Sequence, residues 1–370
     1  MAKLMFYPIG NADTTLLHLN DDRLVLVDYC NMPLEEDDKR IDLEEEIRSY
    51  LELQKSDSID LVAFTHADDD HVHGVEDLFW FDYTNKYQDD DRVRIKTLAI
   101  PACFLLEEGL KGSSRIIHDE ARYRLKKGEG IIVLGNPGVL DDWLRSEGIR
   151  PESREDCIVH AGSCLLDFNK NNGDVEFFVH SPFSFNMEDE DTPRNSNCLI
   201  LHATLFEGNQ EMRLMLGADG SYEDWTNIVY ITKKHSNDVR LQWDVFHISH
   251  HSSYTALSDV KGKSKTEPKP ELKELFGFGG KNCVLISPSE PIPSEDTDQP
   301  PHRQAAAYYK EVAEQQGNEE NFMVTMEWPS SDKPKTIIIE STEYGFKVRK
   351  SISIIGGSGA VIERPSHRLG

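Results

Sequence analysis

No CxxC pair occurs among the six cysteines, Cys30, Cys103, Cys157, Cys164, Cys198 and Cys283, so neither a zinc ribbon nor a disulfide framework is indicated. They read as buried thiols acting as small hydrophobes. No apolar run approaches the roughly eighteen residues of a spanning helix, and the opening MAKLMFYPIG is broken by Pro8 and Gly10 too early for a signal peptide. A cytoplasmic location, with no membrane, is the default expectation. Basic charge is scarce: 40 Lys and Arg face 66 Asp and Glu, for a net charge of −26. That balance is unfavourable for nonspecific attraction to a phosphate backbone or an anionic lipid surface. It weighs against a DNA-coating protein but leaves a nuclease open, because bound divalent ions reverse the sign locally where a phosphate sits. No sequence repeat links the two halves.

What is present is a globular composition, 38% hydrophobic in 370 residues, enough to bury a substantial core. The chain is organised around residues 59–80, IDLVAFTHADDDHVHGVEDLFW. Ile59 to Phe64 is a short apolar run suited to a strand covered on both faces, and it stops at Thr65. His66, Asp68, Asp70, His71 and His73 follow, and Val75 to Tyr83 reads as a helix. The cluster therefore falls at a strand's C-terminal end, where open α/β sheets place their chemistry. Three carboxylates on one short loop, counting Asp69, repel one another unless a cation sits among them, and imidazole beside carboxylate suits zinc, manganese or iron. The alternative is a solvated acidic turn.

The pattern Thr65-His66-x-Asp68-x-Asp70-His71-x-x-Gly74 resembles the metal-binding signature of the metallo-β-lactamase fold superfamily. Asp68 stands where the usual form has a second histidine, which is similar to the branch containing the hydrolase-like domain of ComEC-type DNA-internalisation proteins and its soluble relatives. The resemblance implies an α/β fold, a four-layer αββα sandwich, over residues 1–345, with 346–370 a closing strand and a tail. It implies that His73 is an outward-facing extra, and that Asp28, closing the Arg23 to Asp28 strand, supports the metal loop from behind; a plain surface carboxylate is the alternative. Asp219, between Gly217-Ala218 and Gly220 after the Leu214 to Leu216 strand, matches the family's bridge between two metals. His180 closes another strand and matches an imidazole across the first metal, against a plain strand-end histidine. Asn195-Ser196-Asn197 resembles a polar step that orders the loop near the site. His250 and His251 follow the Val245 to Ser249 strand, and neighbours on an extended segment point in opposite directions. One of the two is therefore expected to ligate: His250 is favoured, with His251 as phosphate contact or proton donor, and the reverse order stays open.

The implied centre holds two divalent ions, manganese or zinc, one on His66, Asp68 and His180, the other on Asp70, His71 and His250 or His251, with Asp219 between them. Asp70 also orients the nucleophile. Arg122, Arg124, Lys126 and Lys127 form the densest basic patch; Arg122, with His302 and Arg303 after a proline pair, is a candidate substrate contact, against an exposed surface and an ordinary helix start. The expected activity is that of a metal-dependent phosphodiesterase or nuclease acting on a phosphodiester or nucleic acid. Two alternatives stand beside it: hydrolysis of a small-molecule lactone, ester or amide, and a noncatalytic metal-containing module working with a partner protein. Leu43, Ile47, Tyr50 and Leu51 share one face of a helix. Lys261 to Glu271 reads as a mobile loop or insertion beside a helix.

Overall fold

The computed structural model describes residues 1–171, 173–183, 197–342 and 345–349. Asn195, Ser196 and the tail from 350 onward lie outside the described residues. The first sheet is built from β1 (Lys3–Phe6), β2 (Thr15–His18), β3 (Leu24–Val27), β4 (Ser58–Ala63), β5 (Arg94–Pro101), β6 (Ile131–Leu134) and β7 (Ile158–Val159). The second comprises β8 (Val175–Ser181), β9 (Ile200–Glu207), β10 (Gln210–Leu216), β11 (Trp243–His247), β12 (Gly279–Ser287) and β13 (Phe322–Val324). The chain then returns as β14 (Ile337–Thr342) and β15 (Gly345–Arg349) to the open side of β1, giving the order β15-β14-β1-β2-β3-β4-β5-β6-β7. Pairing is antiparallel from β15 to β3 and parallel from β3 to β7. The second sheet is likewise antiparallel through β8, β9 and β10 and parallel through β11, β12 and β13.

Alternation along the strands makes a sandwich. Leu4, Phe6, Val25, Val27, Leu61 and Ala63 pack against Phe177, Val179, Leu201, Leu214 and Val284 between the sheets. Their neighbours Met5, Leu26, Val62 and Phe64 point the other way, beneath α1 (Leu43–Gln54) and the helices that follow. The outer face of the second sheet, with Ile200, Met215, Trp243 and Phe246, is buried together with side chains of later helices such as Trp225, Leu272 and Tyr309. This is the expected αββα layering. No described helix is long and apolar enough to cross a membrane.

The face of α1 is as the periodicity predicts, with Leu43, Ile47, Tyr50 and Leu51 buried. It starts at Leu43, because Asp42 accepts from the Glu45 N–H and caps the helix there. The helix expected over 75–83 is shorter too. The loop after β4 forms α2 (Asp69–Val72) and then α3 (Val75–Leu78), separated by Gly74 at φ +79°. A Cβ at Gly74 would stand 3.0 Å from the Asn31 carbonyl oxygen, so the chain turns there and Phe79 and Phe81 enter the core. Between β5 and β7 lie α4 (Ala102–Leu106), α5 (Gly112–Lys127) and α6 (Gly138–Ser146). Two further helices, α7 (Tyr222–Lys234) and α8 (Pro270–Gly277), cover the second sheet, and α9 (Arg303–Gln316) follows the proline pair. Polar, exposed outer faces hide α7 and α8 from a hydrophobic reading, although Ser221 and Asp224 form a reciprocal cap at the start of α7.

Candidate metal centre

Three chain segments meet at the C-terminal ends of β4, β10 and β11. The loop after β4 is tied to the second sheet by the Leu199 N–H on the Thr65 carbonyl at 2.9 Å. The two loops of the second sheet are tied to each other: Gly217 N–H donates to the His247 carbonyl at 3.2 Å and His250 N–H to the Ala218 carbonyl at 2.9 Å. Glycine is required at 217, because a Cβ would stand 2.4 Å from Ser249 Oγ. Asp219 is thereby carried into the interior, 2% exposed, against the loop holding His66 and His71.

Around its carboxylate stand four imidazoles. His71 Nε2 lies 3.2 Å and His251 Nε2 4.0 Å from Oδ1; His66 Nε2 and His250 Nε2 each lie 3.7 Å from Oδ2. Further carboxylates complete the ring, with His66 Nε2 at 3.6 Å from Asp68 Oδ2 and His251 Nε2 at 3.0 Å from Asp70 Oδ2. Most of these gaps are too long for good hydrogen bonds. They match the edges of a coordination shell, since donors about 2.1 Å from one tetrahedral ion stand about 3.4 Å apart. His66 Nε2 is buried and makes no hydrogen bond, so a cation between these groups satisfies an atom that the protein leaves unsatisfied. Asp70, His71, Asp219 and His251 bring one donor atom each within 4.8 Å of one another. The residues fit a divalent cation.

Each inner imidazole is oriented from behind. His71 Nδ1–H donates to Asp28 Oδ2 at 2.8 Å, while Asp28 also accepts from the Thr65 N–H and hydroxyl, both at 2.7 Å. His251 Nδ1–H donates to the Pro288 carbonyl at 2.8 Å, and His66 Nδ1 sits 3.0 Å from Thr65 Oγ1. The Nε2 atoms are thus turned toward the shared space. Burial opposes protonation of His71, yet the Asp28 and Asp219 carboxylates hold its pKa well above the usual imidazole range. His251 is also raised, to about 9, against the pull of burial, by its bond to Asp70 and by Asp13 and Asp219. Burial carries His66 down to about 4. Asp219 is held well below the carboxylate range, its burial outweighed by His71 and His66.

A second group, Asp13, Asp28 and His71, shares His71 through its other ring nitrogen. Sequence reasoning passes over Asp13, which sits in the turn ahead of β2 and donates its N–H to the Asp70 carbonyl at 3.0 Å. Both its carboxylate oxygens are buried without a hydrogen bond, and burial raises its pKa to about 7. A short polar step before an apolar strand was the available signal.

Other expected residues stand elsewhere. His180 is not brought to the cluster, because β8 turns Val175, Phe177 and Val179 inward and so sends His180 to the outer face. There its ring lies 6.1 Å from that of His202, and Nε2–H donates to the Arg240 carbonyl at 3.0 Å. His73 faces outward on Asp69. Arg122 does not present a free cation to the centre: it donates to the Leu105 carbonyl at 2.9 Å and to Glu108 at 3.0 Å. Arg124 is buried against Glu120, and Lys126 pairs with Glu147. Arg303 is bound to Asp296. His302 is buried, and it braces the histidine loop: its N–H donates to the Ser252 carbonyl at 3.1 Å and its Nδ1 accepts from the Tyr254 N–H at 3.3 Å. The expectation that one of His250 and His251 ligates with the other beside it meets two rings that both face Asp219, of which His251 is the one grouped within 4.8 Å with Asp70, His71 and Asp219. It assumed extended backbone, whereas His250, His251 and Ser252 have φ of 49°, 50° and 62°. A polar cavity of about 460 Å³ opens beside Asp68, lined also by Asp69, Glu107, Glu108, Lys111 and Ser114 among others.

The chain matches no protein-family model and no curated protein. Among solved structures it is similar to the metallo-beta-lactamase GOB-18 from Elizabethkingia meningoseptica, at 12% identity over 74% of this chain and 87% of that one, with a TM-score of 0.34. It is also similar to unliganded yeast PDE1, at 12% identity, 88% and 97% coverage and a TM-score of 0.34. A diphosphatase from the PhnP family aligns at 10% identity, with 67% and 74% coverage and a TM-score of 0.26.

Proposed function

We propose that this chain is a divalent-metal-dependent hydrolase of small phosphodiesters, with manganese or zinc as the metal. The observation that carries the reading is the Asp219 carboxylate, 2% exposed, with separate imidazoles facing each of its oxygens and Asp70 grouped beside it. Divalent ions bound there supply Lewis acidity and lower the pKa of a water so that hydroxide is available near neutral pH. The protein's part is to hold donors rigidly and to keep bulk water out. Asp28 and Thr65 fix His71, the Pro288 carbonyl fixes His251, and the sheet ends bury Asp13 and Asp219. Asp70 is held to His251 through Oδ2, which leaves Oδ1 to accept a hydrogen bond from an attacking water and to orient it.

Polarity of the adjoining cavity favours a phosphodiester over a lactone or other apolar ester, which calls for an apolar pocket. Its charge favours a small diester over a long nucleic acid. Four carboxylates and one lysine line that cavity, and the Arg122 guanidinium is engaged by Glu108, so a polyanion meets more repulsion than a single bridging phosphate does. Full-length protein loaded with manganese or zinc should turn over bis(4-nitrophenyl) phosphate faster than single-stranded DNA or 4-nitrophenyl acetate. Asp70→Ala should lower that rate by about 1,000-fold with the fold intact. No phosphodiester turnover by the intact protein with either metal would overturn the proposal and favour the noncatalytic module with a partner protein.

A further inference from the structure

Glu107 to Lys111 run from the end of α4 to the start of α5 and form one wall of the cavity beside Asp68. This short segment is braced at both ends. Arg122, midway along α5, donates to the Leu105 carbonyl at 2.9 Å and to Glu108 Oε1 at 3.0 Å, and the Ser114 hydroxyl donates to the Lys111 carbonyl at 2.9 Å. Arg122, a substrate contact by sequence, is thus occupied in shaping the wall. Lys111 is the last residue before α5, and its side chain does not cap the helix. Among the described residues its ammonium makes no ion pair and no hydrogen bond, although four carboxylates line the same cavity.

Three of those carboxylates face other partners. Glu108 is held by Arg122 at 3.0 Å, Asp69 Oδ2 stands 3.3 Å from His73 Nδ1, and Asp68 Oδ2 stands 3.6 Å from His66 Nε2. The Lys111 charge is therefore not cancelled by contact, in the cavity that Asp68 joins to the metal centre. An ammonium on a four-carbon stem is a mobile point charge with three donors, suited to following an oxygen as its geometry changes. A phosphodiester carries two non-bridging oxygens, and when one is engaged at the centre the other still needs a partner, more so as charge builds on it during attack. We infer that Lys111 is that partner: its ammonium donates to the non-bridging oxygen directed away from the centre, and so distinguishes a phosphodiester from a neutral ester. The positive end of α5 acts in the same sense. One such cation suits one phosphate, while the carboxylates of the same cavity repel the further phosphates of a long chain. The inference rests on the hydrolase function proposed above and names the residue by which that site selects its substrate.

Lys111→Met keeps the length of the stem and removes the charge, whereas Lys111→Arg keeps the charge. In metal-loaded full-length protein, Lys111→Met should raise KM for bis(4-nitrophenyl) phosphate by about 10-fold with kcat within about two-fold, and Lys111→Arg should stay within about three-fold of wild type. The ratio of kcat/KM on the diester to that on 4-nitrophenyl acetate should fall by about 10-fold in Lys111→Met. Calorimetric titration with inorganic phosphate supplies a readout apart from turnover, and its affinity should weaken by about the same factor. Rising ionic strength should increase the wild-type KM for the diester more than that of Lys111→Met. Metal content equal to wild type separates a lost contact from lost metal. A Lys111→Met protein with KM and phosphate affinity within about two-fold of wild type would overturn the assignment. An equal loss on both esters, or a loss that Lys111→Arg leaves unrestored, would overturn it too. A wild type that turns over no phosphodiester would end the hydrolase reading, while the phosphate titration would still decide the contact.

Discussion

Asp28 Oδ2 accepts from His71 Nδ1–H at 2.8 Å, with both residues buried, so the carboxylate at the end of β3 decides which nitrogen of the ring faces the centre. Asp28→Asn keeps the size of the side chain and removes the charge that anchors the ring. Metal affinity should fall by about 10- to 100-fold, while the stoichiometry at saturation stays at two. Competition against a fluorescent chelator measures both; an unchanged affinity would mean that packing alone orients the ring.

Metal uptake should release protons. The Nδ1–H atoms of His71 and His251 are committed to Asp28 and the Pro288 carbonyl, and each Nε2 faces a carboxylate oxygen, at 3.2 Å on Asp219 and 3.0 Å on Asp70. Nitrogen lone pair against carboxylate is repulsive, so without a cation a proton must occupy each gap. This agrees with the raised values of both rings, His251 at about 9. Loading at pH 7 should displace about two protons, and affinity should rise with pH until the rings deprotonate by themselves. Calorimetry in buffers of different ionisation enthalpy counts the protons; zero release would show the rings to be neutral beforehand.

The carboxylates beside Asp68 should set the preference between short and long substrates. Glu108, which lines the cavity and pairs with Arg122 at 3.0 Å, is the accessible lever. Glu108→Lys should raise kcat/KM on single-stranded DNA by about 10-fold at low salt, with the gain lost as ionic strength rises. The same change should leave bis(4-nitrophenyl) phosphate within about two-fold. Equal gains on both would place the effect in folding or metal loading rather than in substrate charge.

Asp224 offers a pH signature away from the metals. Its carboxylate accepts from the Ser221 N–H and hydroxyl at the start of α7, and burial, outweighing those bonds, raises its pKa to about 6. A carboxylate raised on folding contributes stability that is full below its unfolded pKa and lost as pH rises through the folded value. Relative to Asp224→Asn, the metal-free wild type should therefore lose stability between pH 4.5 and 7.5, by up to about 2 kcal/mol at about 1.4 kcal/mol per unit up to the folded value. Urea midpoints at the two pH values measure it, and a difference of the opposite sign would refute it.

His180→Gln should leave metal stoichiometry at two, since His180 bonds to the Arg240 carbonyl on the far face of the second sheet. Loss of one equivalent on that substitution would return His180 to the centre.

Local chemistry determined much of this protein. The contiguous donors from His66 to His71 needed no tertiary knowledge, because a loop of six residues holds them together wherever it lies. The same holds for Asp219 flanked by Gly217 and Gly220, for the buried face of α1, and for the strands whose apolar runs end at those loops. Each of these is set by neighbours along the chain, through periodicity, caps and the turn residues that stop a strand.

Relationships between distant segments were decided only by the folded chain. Which face of β8 turns inward sent His180 away. Three left-handed residues turned His250 and His251 onto one carboxylate, and Arg122 found Glu108 instead of a substrate phosphate. Asp13, unremarkable in a turn, became a buried carboxylate beside His71. A sequence records what each side chain can donate or accept, but the energy of a charge depends on burial and on partners many residues away, and the packing of two sheets fixes both.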